Sequence, residues 1–172
     1  TENPAGDARS IAAIYDEMKR RVVAEPGVKG ATFAAQFPGA LHPELSIEIE
    51  GMPSTSKEGL QLRAQRASVD PDFLSVMGVK PYIGRDFHSG DVNSDAGVVI
   101  VNESFARVLM GGRSPLGQRV RYLGYNPDDP QTVKPGPWYE IVGVVKDLTL
   151  GADHRIGGLN FSGKLQEQPG IY

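Results

Sequence analysis

The 172-residue chain contains no cysteine, which excludes a disulfide framework, a cysteine-ligated zinc or iron–sulfur site and a thiol nucleophile. Basic residues are not in surplus either, since 18 Lys and Arg stand against 21 Asp and Glu. A nucleic-acid partner is therefore not expected, because no excess positive charge is available for its phosphates. The longest uninterrupted apolar stretch is residues 11–15. A bilayer-spanning helix needs about 20 such residues.

Glycine and proline, by contrast, are abundant, with 21 and 13 residues. The hydrophobic fraction of 40% and the net charge of −3 are typical of a folded protein and exclude a disordered one. The length suits one domain or two small ones. Residue 1 is Thr and no signal-peptide pattern follows it, so we expect the chain to be a piece of a longer protein.

Three helices are predicted from apolar spacing and from the residues that begin and end helices. Residues 7–25 form an amphipathic pattern that Pro26 and Gly27 terminate. A short helix starts after Asp70 and ends at Gly78, where a glycine can adopt the left-handed conformation of a C-terminal cap. A third helix is capped by Asn102 and ends at the glycine pair 111–112.

Strands are predicted where apolar residues alternate or run continuously. The predicted strands cover residues 28–37, 45–50, 61–69, 98–101, 119–123 and 138–145, with the beginning of another at residues 170–172. A change of apolar phase in the third predicts a bulge near Gln65 and Arg66, and Gly143 predicts a bulge or a close backbone approach. Helices and strands do not alternate regularly, so the predicted fold class is α+β with mixed or antiparallel sheets.

The proline-rich stretch of residues 124–137 is predicted to be a long loop or the tip of a hairpin. Tyr125 and Trp138 flank it and are candidates for a partner contact, because exposed aromatic side chains bury a large area. The preferred interpretation is that Trp138 and Tyr122 pack on each other across the hairpin.

No catalytic, cofactor-binding or metal-binding residue is predicted. His42, His88 and His154 lie far apart and show none of the paired spacings of zinc sites. Residues 91–97 place acidic or amide side chains at alternate positions, as a calcium-binding loop does. The glycine falls one position late and no bidentate glutamate follows, so a polar turn is the preferred interpretation and calcium the alternative.

Several ordered motifs resemble the periplasmic core domain of MacB-type ABC transporter permeases, and most of all the acidobacterial-type permeases of the wider MacB and FtsX-like group. The motifs are PGV (26–28), VDPDFL (69–74), MGV (77–79), GRDF (84–87), VIVNESFAR (99–107), SPLG (114–117) and YEIVGVVKD (139–147). The family-motif positions to which we assign structural roles are Gly78, Gly84, Arg85, Phe87, Asp91, Asn102, Glu103, Pro115, Gly117, Gly143 and Asp147. Gly84, Gly117 and Gly143 suit tight turns or close approaches, and Arg85 suits a charge-assisted tether to the loop that carries Asp86 and Asp91.

The resemblance implies an extracytoplasmic α+β domain of an integral membrane protein on the periplasmic face of the bacterial inner membrane. It implies a porter-like part over residues 1–69, an inserted Sabre-like subdomain over residues 70–147, and a return segment over residues 148–172 that leaves the porter-like part incomplete. We therefore expect hydrophobic helices to be encoded beyond Thr1 and Tyr172.

In such an efflux-type permease the domain is non-catalytic, and ATP hydrolysis on a separate cytoplasmic ABC ATPase is coupled to its movement. The implied partners are that ATPase, the transmembrane helices of the same permease, periplasmic partner proteins and a second permease copy. No cofactor is implied. The alternative is a ligand-binding or enzymatic α+β domain with a cleft between its two parts, which a thermal-shift screen of metabolites would detect.

Overall fold

The structure is a computed structural model that describes residues 4–35, 42–56, 59–93, 97–127, 133–148 and 168–172. Its helical elements are few, as the sequence predicts. They are α1 (Pro4–Ala24), α2 (Phe73–Val76), a 3-10 turn (Ser89–Asn93) and a π-helix (Phe105–Leu109). The strands are β1 (Glu44–Ile49), β2 (Arg63–Arg66), β3 (Ile83–Gly84), β4 (Gly97–Asn102), β5 (Arg119–Tyr125), β6 (Val133–Pro135), β7 (Tyr139–Val145) and β8 (Gly170–Ile171).

The eight described strands form one mixed sheet in the order β3-β7-β4-β8-β2-β1-β5-β6, with an additional pairing between β7 and β5. Six of them therefore make a closed circuit of pairings: β7, β4, β8, β2, β1, β5 and back to β7. The pairs β4–β7 and β2–β8 are parallel and the others antiparallel. The α+β prediction with mixed sheets is confirmed.

The strand β4 is apolar on both faces because it separates two hydrophobic clusters. Val99 and Val101 belong to the larger cluster, together with Phe105 of the π-helix. Ile100 points to the other side, where it joins Leu74 of α2 in the smaller cluster. Alternate residues of a strand face opposite sides, so a strand buried on both sides carries no polar alternation.

A bulge in β7 explains how this strand pairs with three others, β3, β4 and β5. The β4–β7 register shifts between Val99 and Ile100, so Val142 is the extra residue. Before it, the free edge of β7 pairs with β5; after it, Gly143 and Val144 pair with β3. The prediction of a bulge or close approach at Gly143 is confirmed.

Three predicted details of secondary structure are wrong. No bulge occurs at Gln65, because β2 keeps a regular register with β1 and ends at Arg66. Among residues 28–35 only Ala34 makes a β-bridge, to Val69, so no strand forms there. The first helix begins at Pro4, three residues earlier than predicted.

Replacing Gly143 by alanine is expected to destabilise the fold. The new Cβ would lie closer than 3.0 Å to the backbone carbonyl oxygen of Arg85, which the β3–β7 pairing holds in place. Overpacking of this kind costs about 1–3 kcal/mol, measurable by urea unfolding. Gly124→Ala in β5 is the matched control, since its Cβ would meet only an ordinary contact of 3.6 Å. Equal losses in the two variants would contradict the proposed clash.

Candidate functional site

The side chain of Asn102, at the end of β4, joins three parts of the chain. Its Oδ1 accepts hydrogen bonds from the backbone N–H of Phe105 at 2.9 Å and of Gly170 at 2.8 Å. Its Nδ2 donates to the carbonyl of Gln168 at 2.8 Å. The residue is only 5% exposed, so each of these bonds replaces one that water would otherwise make. The predicted helix cap is present, and the two bonds to the C-terminal segment are additional.

The next two residues of the same motif bind the residues that follow β7. Ser104 donates through its backbone N–H and its Oγ to the two oxygens of Asp147, at 3.0 and 2.7 Å. The Nζ of Lys146 donates to the carboxylate of Glu103 at 3.0 Å. Because β4 and β7 are parallel, their carboxyl ends meet at one edge of the sheet, and the motifs at 102–104 and 146–147 meet there.

Arg85 and Asp91 form a tether that shapes the loop after β3. The guanidinium of Arg85 donates two hydrogen bonds of 2.8 Å to the two carboxylate oxygens of Asp91, and a third to the backbone carbonyl of Asp86. The Asp91 carboxylate also accepts the backbone N–H of His88 at 2.9 Å. The Arg85 guanidinium, assisted by the His88 N–H, holds the pKa of Asp91 below its usual range. Phe87, between them in the loop, packs against the smaller hydrophobic cluster.

The motif glycines lie where backbone segments touch or turn. A Cβ on Gly84 would meet the carbonyl oxygen of Val142, so this glycine lets β3 approach β7. Gly117 has φ +74° and donates its N–H to Ile141 of β7, in a turn that starts at the buried Pro115. Glycine adopts a positive φ without the steric cost that other residues bear.

Asp70 holds the helix α1 against the rest of the domain. Its carboxylate accepts hydrogen bonds from the Nζ of Lys19 on α1, at 3.0 Å, and from the Oγ1 of Thr32 and the backbone N–H of Phe33. Burial raises the pKa of Asp70, but these hydrogen bonds outweigh it and the pKa is lowered overall. Tyr15 of α1 packs edge-to-face on Phe33, with ring centroids 4.7 Å apart.

The structure also bears on the histidines and on the calcium-like loop at residues 91–97. Within the described residues, no group of three or more His, Cys, Asp or Glu side chains is placed to hold a metal ion. At the calcium-like loop, the carboxylate of Asp91 is occupied by Arg85, and Asp95 lies outside the described residues. His154 also lies outside them.

The family to which this sequence belongs follows from a comparison with known families. Residues 10–162 match the model of the family described as the MacB-like periplasmic core domain. The chain is a member of that family. It is thus a periplasmic core domain of the MacB-like kind. No curated protein matches the chain significantly.

Two solved structures of similar domains agree with the fold. The extracellular domain of the noncanonic ABC-type transporter YknZ from Gram-positive bacteria has a TM-score of 0.51 at 17% identity, covering 89% of this chain and 58% of its own. A domain of a putative permease from Porphyromonas gingivalis has a TM-score of 0.50 at 21% identity, covering 80% and 52%. The periplasmic region of MacB from Actinobacillus actinomycetemcomitans has a TM-score of 0.48 at 16% identity, and the match covers 76% of this chain and 50% of that one. This chain therefore spans between half and three fifths of these solved domains.

The MacB-like domain presents an exposed hairpin where the sequence predicts a hairpin tip. β5 and β6 pair through Tyr125 and Val133, and the side chain of Tyr125 is 71% exposed. Trp138 is half-buried and carries the guanidinium of Arg121 4.4 Å from its ring centroid. The predicted packing of Tyr122 on Trp138 is wrong, because the ring partner of Tyr122 is Tyr139, whose centroid lies 6.0 Å away.

Two sites in this MacB-like domain escaped the sequence analysis. The local pattern identifies Asp70 only as a helix start and Asn102 only as a helix cap, although both also bind distant segments. For Asn102 the available signal is an amide at the end of a buried strand, but Lys19 and Gly170, the partners of Asp70 and Asn102, are 51 and 68 residues away. None of the described helices is long and apolar enough to cross a membrane.

Replacing Asn102 by alanine is expected to lower the free energy of unfolding by about 2–4 kcal/mol, because two buried N–H groups and one carbonyl lose their partner. Urea unfolding measures the loss, and hydrogen exchange at the Gly170 amide is expected to accelerate. Glu103→Gln is the neighbouring control and should change little, since it removes only an exposed ion pair with Lys146. Unchanged exchange at Gly170 in Asn102→Ala would refute the role assigned to this side chain.

The Arg85–Asp91 pair predicts a loss of stability in acid. The pKa of Asp91 is lowered from 3.8 on folding, so the ionised form favours the folded state. The contribution of the ionised Asp91 to stability is complete above the pKa that this group has in the unfolded chain. It disappears as the pH falls below about 4 and passes the lower pKa of Asp91 in the folded state. Asp91→Asn should therefore be less stable than the parent at pH 7, and the gap should narrow towards pH 2 in thermal unfolding. A gap that stays constant with pH would contradict this linkage.

Proposed function

We propose that this domain works by conformational coupling in an efflux-type ABC permease: ATP hydrolysis on a separate cytoplasmic ATPase moves the domain, which handles substrate or periplasmic partners. The family match over residues 10–162 carries the proposal. The domain itself is proposed to be non-catalytic and to need no cofactor. Its proposed place is the extracytoplasmic face of the inner membrane, attached to the permease's own transmembrane helices.

The way in which α1 is attached supports a coupling role. One face of this helix meets the domain through Lys19 and Tyr15, whose partners are Asp70 and Phe33. Four apolar side chains in the described part of this helix are exposed. The exposed side chains are Ile14, Met18, Val22 and Val23, each between 44% and 56% exposed. A helix held at a few points can move relative to the sheet without disturbing the hydrophobic clusters.

The proposed division of the chain keeps a porter-like part at 1–69, an inserted Sabre-like subdomain at 70–147 and a return segment at 148–172. The return segment is proposed to lead back to the porter-like part, and its β8 pairs with β2 at Gln65 and Arg66. The motif side chains are proposed to maintain this architecture.

The β5–β6 hairpin is the proposed contact for a periplasmic partner or a second permease copy. Tyr125 and Val133 expose apolar area side by side, and large exposed aromatic side chains are typical of interface anchors. Trp138 supports the hairpin base through its stacked arginine, Arg121.

The coupling proposal is tested in the complete permease with its ATPase. The 172 residues contain no cysteine, so spin labels at Val23→Cys on α1 and Lys80→Cys after α2 add the only thiols within these residues. We expect the label distance to change between the nucleotide-free and ATP-bound states. Asp70→Asn, which weakens the attachment to Lys19, should reduce that change while ATP hydrolysis continues.

The matched control for this experiment is Arg20→Gln, a charge removal on the same helix. Arg20 pairs only with Glu17 of α1 among the described ion pairs, so the response to nucleotide should persist. A label distance that ignores nucleotide in the parent protein would overturn the coupling role. Loss of ATP hydrolysis in Asp70→Asn would also contradict a role confined to transmission.

A further inference from the structure

An open cleft of about 330 Å³ lies beside the parallel strands β4 and β7. Its volume is at the lower end of the range for small-molecule sites. The wall residues come from β2 and the chain that follows it, from the loop after β3, from β4, β5 and β7, and from the C-terminus. The residues used below are Arg66, Val69, Phe87, Val98, Tyr122, Tyr139 and Tyr172, all of which line it.

The walls of the cleft are largely apolar and aromatic. Val69, Val98 and Phe87 are partly buried members of the smaller hydrophobic cluster. Tyr122 and Tyr139 form an edge-to-face pair on one side, and Tyr172 stacks on Phe73 at the other. Aromatic walls of this kind favour a flat aromatic guest, because offset and edge-to-face ring contacts add to the burial of area.

The cleft contains one positively charged side chain, that of Arg66, which forms no ion pair within the described residues. The guanidinium of Arg66 lies 5.5 Å from the ring centroid of Tyr122 and donates to the hydroxyl of Ser68. Among the described residues it makes no ion pair with a carboxylate. The acidic wall residue, Asp91, is already bound through both oxygens by Arg85. Arg66 is therefore the charged group that remains for a ligand.

The tyrosine hydroxyls add hydrogen-bond donors. Burial raises the pKa of Tyr172 to about 12 and raises that of Tyr122 further above its usual range, so both stay protonated. Within the described part of the chain, no hydrogen bond is formed by the hydroxyls of Tyr122, Tyr139 or Tyr172. These hydroxyls are available to donate to a ligand that accepts hydrogen bonds.

We infer that this cleft is a binding site for a small aromatic anion, whose ring lies among the tyrosines and whose carboxylate or phosphate binds Arg66. Guanidinium is suited to both anions because its paired N–H groups match two acceptor oxygens. A cationic guest is disfavoured by Arg66. The inference is independent of the proposed coupling role, because it concerns binding by this domain alone.

Calorimetric titration of the 172-residue chain at pH 7 tests the site, with 2-naphthoate and 2-naphthyl phosphate as anionic probes. Neutral 2-naphthol and decanoate, an aliphatic carboxylate, are the comparison ligands. We expect a naphthyl anion to bind more tightly than either comparison ligand, and the two anionic probes distinguish a carboxylate from a phosphate preference. Amide chemical-shift changes at Ala67 and Gly97, both wall residues, should locate the ligand in the cleft.

Arg66→Gln is expected to weaken binding of the anionic probe about tenfold and to leave 2-naphthol unaffected. Arg63→Gln is the matched control, because Arg63 lies on the same strand but outside the cleft and pairs with Glu44. Equal effects of the two substitutions, equal affinity for 2-naphthol, or tighter binding of decanoate would overturn the assignment. So would an absence of binding by both anionic probes, whatever the permease experiments show.

Discussion

The amide of Asn102 holds the last residues of the chain in the middle of the sheet. Among the described strands, β8 is the element that pairs with both β2 and β4, so the circuit of strands closes through it. The closing bonds join groups 68 residues apart in sequence. Two residues of strand are too few to hold their place by backbone pairing alone, and the buried amide adds the side-chain bonds that fix them.

That closure explains why the family motifs are placed as they are. Parallel pairing of β4 with β7 brings the ends of two distant strands to one edge, where Ser104 binds Asp147. The bulge at Val142 then lets β7 turn its other edge from β5 to β3, with Gly143 giving the room. Four of the motif residues, Gly84, Asn102, Gly143 and Asp147, lie where strands or their ends meet.

Three parts of the surface are suited to contacts, and one of them, the cleft, is lined by strands of this framework. α1 is attached through Asp70, the β5–β6 hairpin projects Tyr125, and the cleft opens beside Arg66. A closed, doubly packed sheet resists deformation, whereas an element held by a few polar contacts can change position at lower cost. This contrast supports the proposed role of the domain in transmitting movement.

The local pattern was sufficient to predict β1, β4, β5, β7 and the amphipathic helix, because the spacing of apolar residues shows directly which side chains are buried. Ordered motifs were sufficient for the family. Neither predicted that residues 28–35 would lack a strand, since forming one depends on a neighbouring strand and not on composition. The sequence by itself determined the helices, most strands and the kind of domain. Only the tertiary structure decided the closure through β8, the partners of Asn102 and Asp70, and the cleft at Arg66, because these depend on contacts between residues far apart in the chain.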